Sequence, residues 1–226
     1  KRAAIEYAKC LADTAYFTDT YCVIDGPESE GPSTIPFTLW PAQVRVMWAL
    51  MMHRLVIILK ARQLGISWLV CAYALGLCLF RTGRVVLLFS KGQLEANELA
   101  RRIQAMYDRL PDWLKQQLPR QAKNNTDEKE WANGSRVLSL AATKNAGRTF
   151  TASLVIIDEF AFLQWAREVY NAIKPTIDGG GQIILLSTAN GEDNLFHELW
   201  QMAVNKVNGF HPIFLAWWER PGRTKE

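Results

Sequence analysis

The chain has 226 residues, which is enough for one large domain or two small ones. Hydrophobic residues make up 49% of it, so the chain can bury a sizeable core. The net charge of +4 is compatible with contact to nucleic acid but does not by itself argue for it. The longest apolar run, Trp68–Phe80, is shorter than the roughly 20 residues that a membrane span needs, so it predicts a buried helix.

The first half of the chain alternates between helix and strand patterns. The predicted elements are a helix in residues 3–17, a polar and proline-rich loop in residues 25–36, a helix beginning at Pro41 and continuing through Met52, a strand Arg54–Leu59, an apolar helix from Ser67, a strand Arg84–Phe89 and a long helix that ends at Arg109 before Pro111.

The second half continues the alternation. The predicted elements are a polar loop in residues 119–134, strands Val137–Leu140, Leu154–Ile157 and Ile183–Leu186, a helix in residues 165–174, a helix Asp193–Val204 and a last strand His211–Ala216. Apolar strands that alternate with helices favour a mostly parallel sheet covered on both faces.

The cysteines and histidines do not form a metal-binding pattern. No cysteine pair has metal-ligand spacing, and two of the four lie in the apolar run, so we expect reduced, buried thiols of a cytoplasmic protein. The cysteines are Cys10, Cys22, Cys71 and Cys78. The histidines are far apart in sequence and are predicted to be surface or core residues.

The strand Leu154–Ile157 runs directly into two carboxylates, Asp158 and Glu159. A buried carboxylate without a partner is costly, so this ending indicates a site at the carboxyl edge of the sheet. In a nucleoside triphosphatase, the first carboxylate holds the magnesium shell and the second polarises the attacking water. The alternative is a strand that ends at a solvated acidic turn.

Residues 60–67 join a predicted strand to a helix, where a phosphate-binding loop would lie. Gly65 and Ser67 fit the usual pattern, but Ile66 stands where a lysine is expected, and Lys60 replaces the first glycine. The long stem of Lys60 could cross the loop toward the β- and γ-phosphates, and the hydroxyl of Ser67 can bind magnesium. The alternative is an ordinary strand–loop–helix turn with a surface lysine.

Three further features support a nucleotide site, and each also has a simpler interpretation. Gln43 could contact the adenine edge through its amide, or lie on the surface at a helix start. Ser187–Gly191 could sense the γ-phosphate and relay its loss, or form a plain turn. Arg148, on a glycine-containing loop, could stabilise transition-state charge in a neighbouring subunit, or be solvated.

Taken together, these motifs resemble the ATPase domain of large terminases, the DNA-packaging motors of tailed bacteriophages. The resemblance covers residues 35–220. It rests on Leu39–Gln43, Lys60–Ser67, Leu154–Glu159 and Ser187–Gly191, with further similarity at Leu110–Leu114, Asn133–Ser135 and Phe196–Trp200. It implies an α/β fold: a P-loop NTPase three-layer sandwich with a mostly parallel central sheet, of the additional-strand, catalytic-glutamate type.

The resemblance also implies a role for each matching residue. Glu159 is similar to the catalytic glutamate, Asp158 and Ser67 to the magnesium ligands, and Gln43 to the adenine-contacting glutamine. Arg62 and Arg148 match arginines that approach the phosphates, the latter from an adjacent subunit. The nucleotide-binding loop is Lys60, Ala61, Arg62, Gln63, Leu64, Gly65, Ile66 and Ser67, and the coupling segment is Ser187, Thr188, Ala189 and Asn190. Many members carry lysine where Ile66 stands, but some carry it at the position of Lys60.

The implied domain organisation is a single ATPase domain over residues 1–226. It has an N-terminal helix and loop (1–36), a nucleotide-binding core (37–204) and a C-terminal extension or lid (205–226) toward a nuclease domain that is expected elsewhere. The implied substrate is ATP, with Mg²⁺. The implied partners are double-stranded DNA, the portal protein and procapsid, the terminase small subunit and further copies of the chain in a ring, with the isolated domain monomeric and no membrane involved.

The expected location is the host cell cytoplasm, with transient docking on the procapsid.

Two other functions fit parts of the pattern. A superfamily-two helicase or other DNA-translocating ATPase also uses an upstream glutamine and an Asp–Glu pair, but needs a second similar domain. A non-catalytic nucleotide-binding scaffold has no need of Glu159. The scattered basic set Arg101, Arg102, Lys115, Arg120 and Lys123 is more typical of a solvated face than of a DNA-binding surface.

Overall fold

A computed structural model describes residues 2–26, 33–144, 146 and 150–224 of the chain, and its central feature is a large β-sheet. The strands are β1 (Val23–Asp25), β2 (Thr34–Pro36), β3 (Leu55–Lys60), β4 (Val85–Ser90), β5 (Gln121–Asn124), β6 (Glu128–Trp131), β7 (Arg136–Ala141), β8 (Leu154–Ile157), β9 (Gln182–Ser187) and β10 (His211–Leu215). β1 and β2 form a separate antiparallel pair.

The other eight strands form one sheet in the order β10-β3-β9-β8-β4-β7-β6-β5. The pairings from β10 through β7 are parallel, and β6 and β5 add antiparallel pairings at one edge. β9 lies between β3, which precedes the phosphate loop, and β8, which precedes the acidic pair. This is the additional strand that the resemblance implies, and it confirms the expected fold class.

Helices cover both faces of the sheet. They are α1 (Arg2–Ala12), α2 (Thr14–Tyr21), α3 (Pro41–Met52), α4 (Ile66–Phe80), α5 (Gln93–Asp108), α6 (Asp112–Lys115), α7 (Ala166–Asp178) and α8 (Leu195–Val204). Alternate strand residues face opposite sides, as a pleated strand requires. Val56 and Ile58 join the hydrophobic cluster under α1 to α6, whereas Ile57 joins the cluster under α7 and α8.

α4 confirms the buried helix predicted from the apolar run. Its residues from Leu69 to Leu75 are fully buried except Tyr73, so both sides of this helix contact protein. The four cysteines are buried and unpaired, as expected. No helix among the described residues is long and apolar enough to cross a membrane.

The prediction of a loop in residues 119–134 was wrong, because β5 and β6 form an antiparallel hairpin there. The polar sequence of β5 resembles that of a loop, because β5 is an edge strand that is mostly exposed. β6 alternates partly exposed and buried residues, including the buried Trp131. An edge strand needs no continuous apolar run, so its sequence does not stand out from a loop.

One other predicted element is divided in the structure, and one is confirmed. The helix expected in residues 3–17 is two helices, because Asp13 caps the second one by accepting hydrogen bonds from the backbone N–H groups of Ala15 and Tyr16. The predicted last strand is present as β10, which pairs with β3 along its whole length.

Candidate active site

The parallel strands β3, β8 and β9 end at the same edge of the sheet and bring the sequence motifs together there. Lys60 ends β3, Asp158 follows β8, and Ser187 ends β9. This edge is where ligands bind in open α/β sheets. A cleft of about 1150 Å³ opens over it. Among its lining residues are the predicted site residues Gln43, Lys60, Arg62, Gln63, Leu64, Gly65, Ile66, Ser67, Asp158 and Glu159.

Asp158 is buried and fixed by the phosphate loop. Its Oδ2 accepts a hydrogen bond from the Ser67 hydroxyl at 2.6 Å, and its Oδ1 accepts one from the backbone N–H of Glu159 at 2.9 Å. The ion pair with Lys60 is longer, with Nζ 3.9 Å from Oδ1. The hydroxyl and carboxylate of the predicted magnesium pair, Ser67 and Asp158, are therefore adjacent, although they lie 91 positions apart in sequence.

Glu159 adopts the left-handed backbone conformation, with φ 53° and ψ 39°. Positive φ is uncommon for a residue other than glycine, and such strain is concentrated at functional sites. The conformation begins a tight turn, Phe160–Phe162, and turns the Glu159 carboxylate toward the cleft. One carboxylate oxygen lies 3.5 Å from the Lys60 ammonium, and the other accepts a long hydrogen bond of 3.5 Å from Thr188.

Lys60 is buried between the two carboxylates, with only 9% of its side chain exposed. Ile66, at the usual lysine position, is 2% exposed and belongs to the hydrophobic cluster under α1 to α6. A buried aliphatic side chain cannot offer charge to a phosphate. Of these two positions, only Lys60 therefore places a cation at the acidic edge of the cleft.

The phosphate loop is held in shape by Gln43. The Gln43 side chain accepts a hydrogen bond from the backbone N–H of Trp40 and donates one to the carbonyl of Leu64, both at 3.0 Å. Gly65 has φ 69°, and a Cβ there would lie 2.7 Å from Gln43 Nε2. Glycine is therefore required at position 65 both by backbone conformation and by the close approach of Gln43.

Other predicted loop residues are placed differently. The N–H of Ala61 donates to the carbonyl of Leu215 at 2.9 Å, so it is not free to bind phosphate. Ala61 lies against a second, apolar pocket that is also lined by Thr188 and Ala189. Arg62 is exposed and lines both pockets. Arg148 lies outside the described residues.

The predicted coupling segment contacts the turn that follows Glu159. The hydroxyl of Ser187 accepts a hydrogen bond from the N–H of Ala161 at 3.1 Å, and Asn190 donates to the Ala161 carbonyl at 3.0 Å. Thr188 contacts Glu159 directly. The end of β9 is thus linked both to the acidic pair and to the turn that positions it.

This arrangement has a recognisable counterpart among known proteins. A family model described as terminase large subunit, T4likevirus-type, N-terminal, matches residues 57–213. The chain belongs to the terminase large subunit family. The matched residues include the predicted phosphate loop, the acidic pair and the predicted coupling segment.

Solved terminase structures share the fold. The large terminase ATPase domain of Thermus phage P74-26 matches with a TM-score of 0.65 and 18% identity, over 81% of this chain and 83% of that one. The HK97 bacteriophage large terminase gives 0.71 and 15%, over 95% of this chain and 45% of that one. The ADP complex of the large terminase from the thermophilic bacteriophage D6E gives 0.61 and 11%, over 77% and 44%. This terminase chain therefore spans less than half the length of the latter two.

Four of the five residues in the predicted basic set form ion pairs with carboxylates of the chain. Arg101 and Arg102 both pair with Glu98, and Lys115 and Lys123 pair with nearby carboxylates. These pairs support the interpretation of a solvated, self-neutralised face.

Arg220 is one of the cleft residues that the sequence did not predict. It lines the cleft from the segment after β10, and its guanidinium donates to the side chain of Gln63. No local pattern marks it, because its partner is 157 positions away in sequence.

Proposed function

We propose that this chain is the ATP-hydrolysing motor domain of a terminase large subunit, which drives double-stranded DNA into a procapsid. The observation that carries the proposal is the acidic pair at the end of β8. There the strained Glu159 faces a cleft beside Lys60, while Asp158 is bonded to Ser67 of the phosphate loop. This arrangement supports a metal-binding role for Asp158 and a proton-transfer role for Glu159.

In the proposed reaction, the chain positions the triphosphate and accepts one proton. Lys60 and the N–H groups at the start of α4 bind the phosphates, and Gln43 holds the loop and contacts the adenine. Glu159 orients a water molecule and takes its proton as the water oxygen bonds to the γ-phosphorus. The bond from that phosphorus to the β,γ-bridging oxygen breaks, which yields ADP and phosphate.

The donor set fits magnesium. Mg²⁺ prefers hard oxygen ligands and usually takes one or two from the protein, with phosphate and water supplying the rest. Ser67 and Asp158 present such oxygens side by side, 2.6 Å apart. When bound, the ion would neutralise charge that develops on the phosphates.

Two further roles belong to the proposal. Arg62, exposed on the cleft, approaches the phosphates, while Arg148 completes the site of a neighbouring subunit. The coupling segment Ser187–Asn190 transmits hydrolysis to the rest of the domain, since Thr188 contacts Glu159. Residues 1–226 would act as one ATPase domain.

The partners follow from the family. The D6E large terminase has been solved in complex with ADP and with ATP-γ-S, which supports a nucleotide site in this relative. For the whole assembly we propose double-stranded DNA, the portal and procapsid, the small subunit and a ring of identical subunits, in the host cytoplasm. The isolated domain would be monomeric.

The direct test is Glu159→Gln, which keeps the size of the side chain but removes the base. We expect ATP hydrolysis to fall about 100-fold or more, because a positioned general base contributes that much, while ATP binding persists. Steady-state hydrolysis and titration with ATP-γ-S measure the two effects. Glu192→Gln is the matched control, since Glu192 is exposed and lines neither pocket. Hydrolysis that survives in Glu159→Gln would remove Glu159 from the mechanism.

A further inference from the structure

The segment after β10 is fixed against the phosphate loop and α3. The carbonyl of Leu215 accepts the N–H of Ala61, the first residue after β3. One carboxylate oxygen of Glu219 accepts the N–H of Ala216 at 3.0 Å, and the other pairs with Arg45 of α3 at 2.8 Å. Glu219 thereby closes the short turn Trp217–Glu219 and fixes where the next residue, Arg220, leaves it.

Two arginines of this segment donate to one neutral acceptor. Arg220 Nη1 lies 3.3 Å and Arg223 Nη2 lies 2.9 Å from Oε1 of Gln63. Among the residues that the structure describes, neither arginine forms an ion pair with a carboxylate. Gln63 itself has φ 62°, a left-handed conformation, within the phosphate loop. Two positive charges therefore meet at one uncharged amide oxygen, and Arg223 also donates to the carbonyl of Trp217 at 3.5 Å.

Arg220 and Arg223 differ in one respect. Arg220 lines the cleft that also contains Lys60, Ser67 and the acidic pair, whereas Arg223 does not. A guanidinium forms stronger, often bidentate hydrogen bonds with phosphate oxygens than with a neutral amide. A phosphate in this cleft would thus be a better partner for Arg220 than Gln63 is.

We propose that Arg220 is a further phosphate-binding residue of the nucleotide site, which exchanges Gln63 for a phosphate oxygen when nucleotide binds. The proposal rests on the nucleotide site of the proposed function and adds to it a cation from the segment beyond the sheet. Gln63 is the residue that keeps Arg220 at the cleft before the phosphate arrives.

The test compares Arg220→Gln with Arg223→Gln. Both variants lose one positive charge and one hydrogen bond to Gln63. Arg223→Gln also loses the 3.5 Å hydrogen bond to the carbonyl of Trp217, so the main difference that remains is access to the cleft, which only Arg220 lines. We expect the Kd for ATP-γ-S, measured by titration calorimetry, to rise about tenfold or more in Arg220→Gln, because a charge-assisted hydrogen bond is lost. In Arg223→Gln the rise should stay within about twofold. Arg220→Lys, which retains the charge, should recover part of the affinity.

A second probe separates phosphate contact from damage to the loop. Binding of adenosine, which has no phosphate, should be equal in wild type and Arg220→Gln. Equal losses in Arg220→Gln and Arg223→Gln would mean that both arginines only support Gln63, and would overturn the proposal. An unchanged Kd in Arg220→Gln, with the wild type binding ATP-γ-S normally, would overturn this proposal alone. A wild type that does not bind ATP-γ-S would overturn the proposed function and this inference with it.

Discussion

At the scale of single residues, the position of Lys60 is the most distinctive feature of the site. Its ammonium lies 3.5 Å from Glu159 and 3.9 Å from Asp158, at the carboxyl end of the strand that enters the phosphate loop. The usual lysine position is filled by Ile66, which is in the hydrophobic core. The Lys60 ammonium therefore reaches the cleft from the first residue of the loop.

Lys60→Ala should raise the Kd for ATP-γ-S about tenfold or more, because the loop loses its charge-assisted contact with the phosphates. Ile66→Val is the comparison, since it removes one buried methylene and should cost about 0.5–1.5 kcal/mol of unfolding free energy with little effect on binding. Titration with ATP-γ-S and urea unfolding of both variants measure these effects. If Ile66→Val weakened binding more than Lys60→Ala, the role given to Lys60 would be wrong.

Residue types and spacing predicted several groups that the structure places close together. Two carboxylates after an apolar strand and a hydroxyl at a helix start predicted Asp158, Glu159 and Ser67, which the structure brings into contact or into adjacent positions. Contacts between distant positions were not predictable. Gln43 bonding to Leu64 and Arg220 bonding to Gln63 depend on how separate elements pack, and no sequence period encodes them.

At the scale of elements, the strands that are buried along most of their length were predicted correctly from the sequence. The parallel strands β3, β4, β8 and β9 are apolar because both of their faces are covered, and each was found from its apolar run. The hairpin of β5 and β6 was missed because edge strands carry polar residues. The order of the strands follows from tertiary packing, and the sequence predicted none of it beyond the additional strand that the resemblance implies.

A pair of histidines at the junction between α3 and β10 makes the stability of the fold depend on pH. His53 directly follows α3 as its C-cap, and its ring stacks on that of His211 with centroids 3.9 Å apart. Burial, and then repulsion from His53, lower the pKa of His211 below its ordinary value. The unfolded chain therefore binds a proton more readily than the folded one, so this contribution to stability is present above about pH 6.5 and lost as the pH falls below it.

Urea unfolding at pH 7 and pH 5 should show this effect as a loss of unfolding free energy on acidification. In His211→Gln the loss over the same interval should be smaller, because the group that gains the proton on unfolding is absent. His197→Gln is a suitable control, since His197 lies in α8, away from the stacked pair. An identical loss in wild type and His211→Gln would show that the pair does not contribute.

At the scale of the whole molecule, the sheet separates two hydrophobic clusters and places its chemistry along one edge. The larger cluster lies under α1 to α6, and the smaller lies under α7 and α8. Both clusters support the strands whose ends carry Lys60, Asp158 and Ser187. The segment after β10 returns to the phosphate loop, so the end of the described chain is physically connected to the site.

The central claim is that a triphosphate binds between the phosphate loop and the acidic pair. A crystal structure of the chain with ATP-γ-S and magnesium tests it most directly. We predict that the γ-phosphate lies near Lys60, that Ser67 binds the metal ion close to Asp158, and that the Glu159 carboxylate faces the terminal phosphorus. A nucleotide bound elsewhere, or in this cleft with Lys60 still paired only to the two carboxylates, would contradict it.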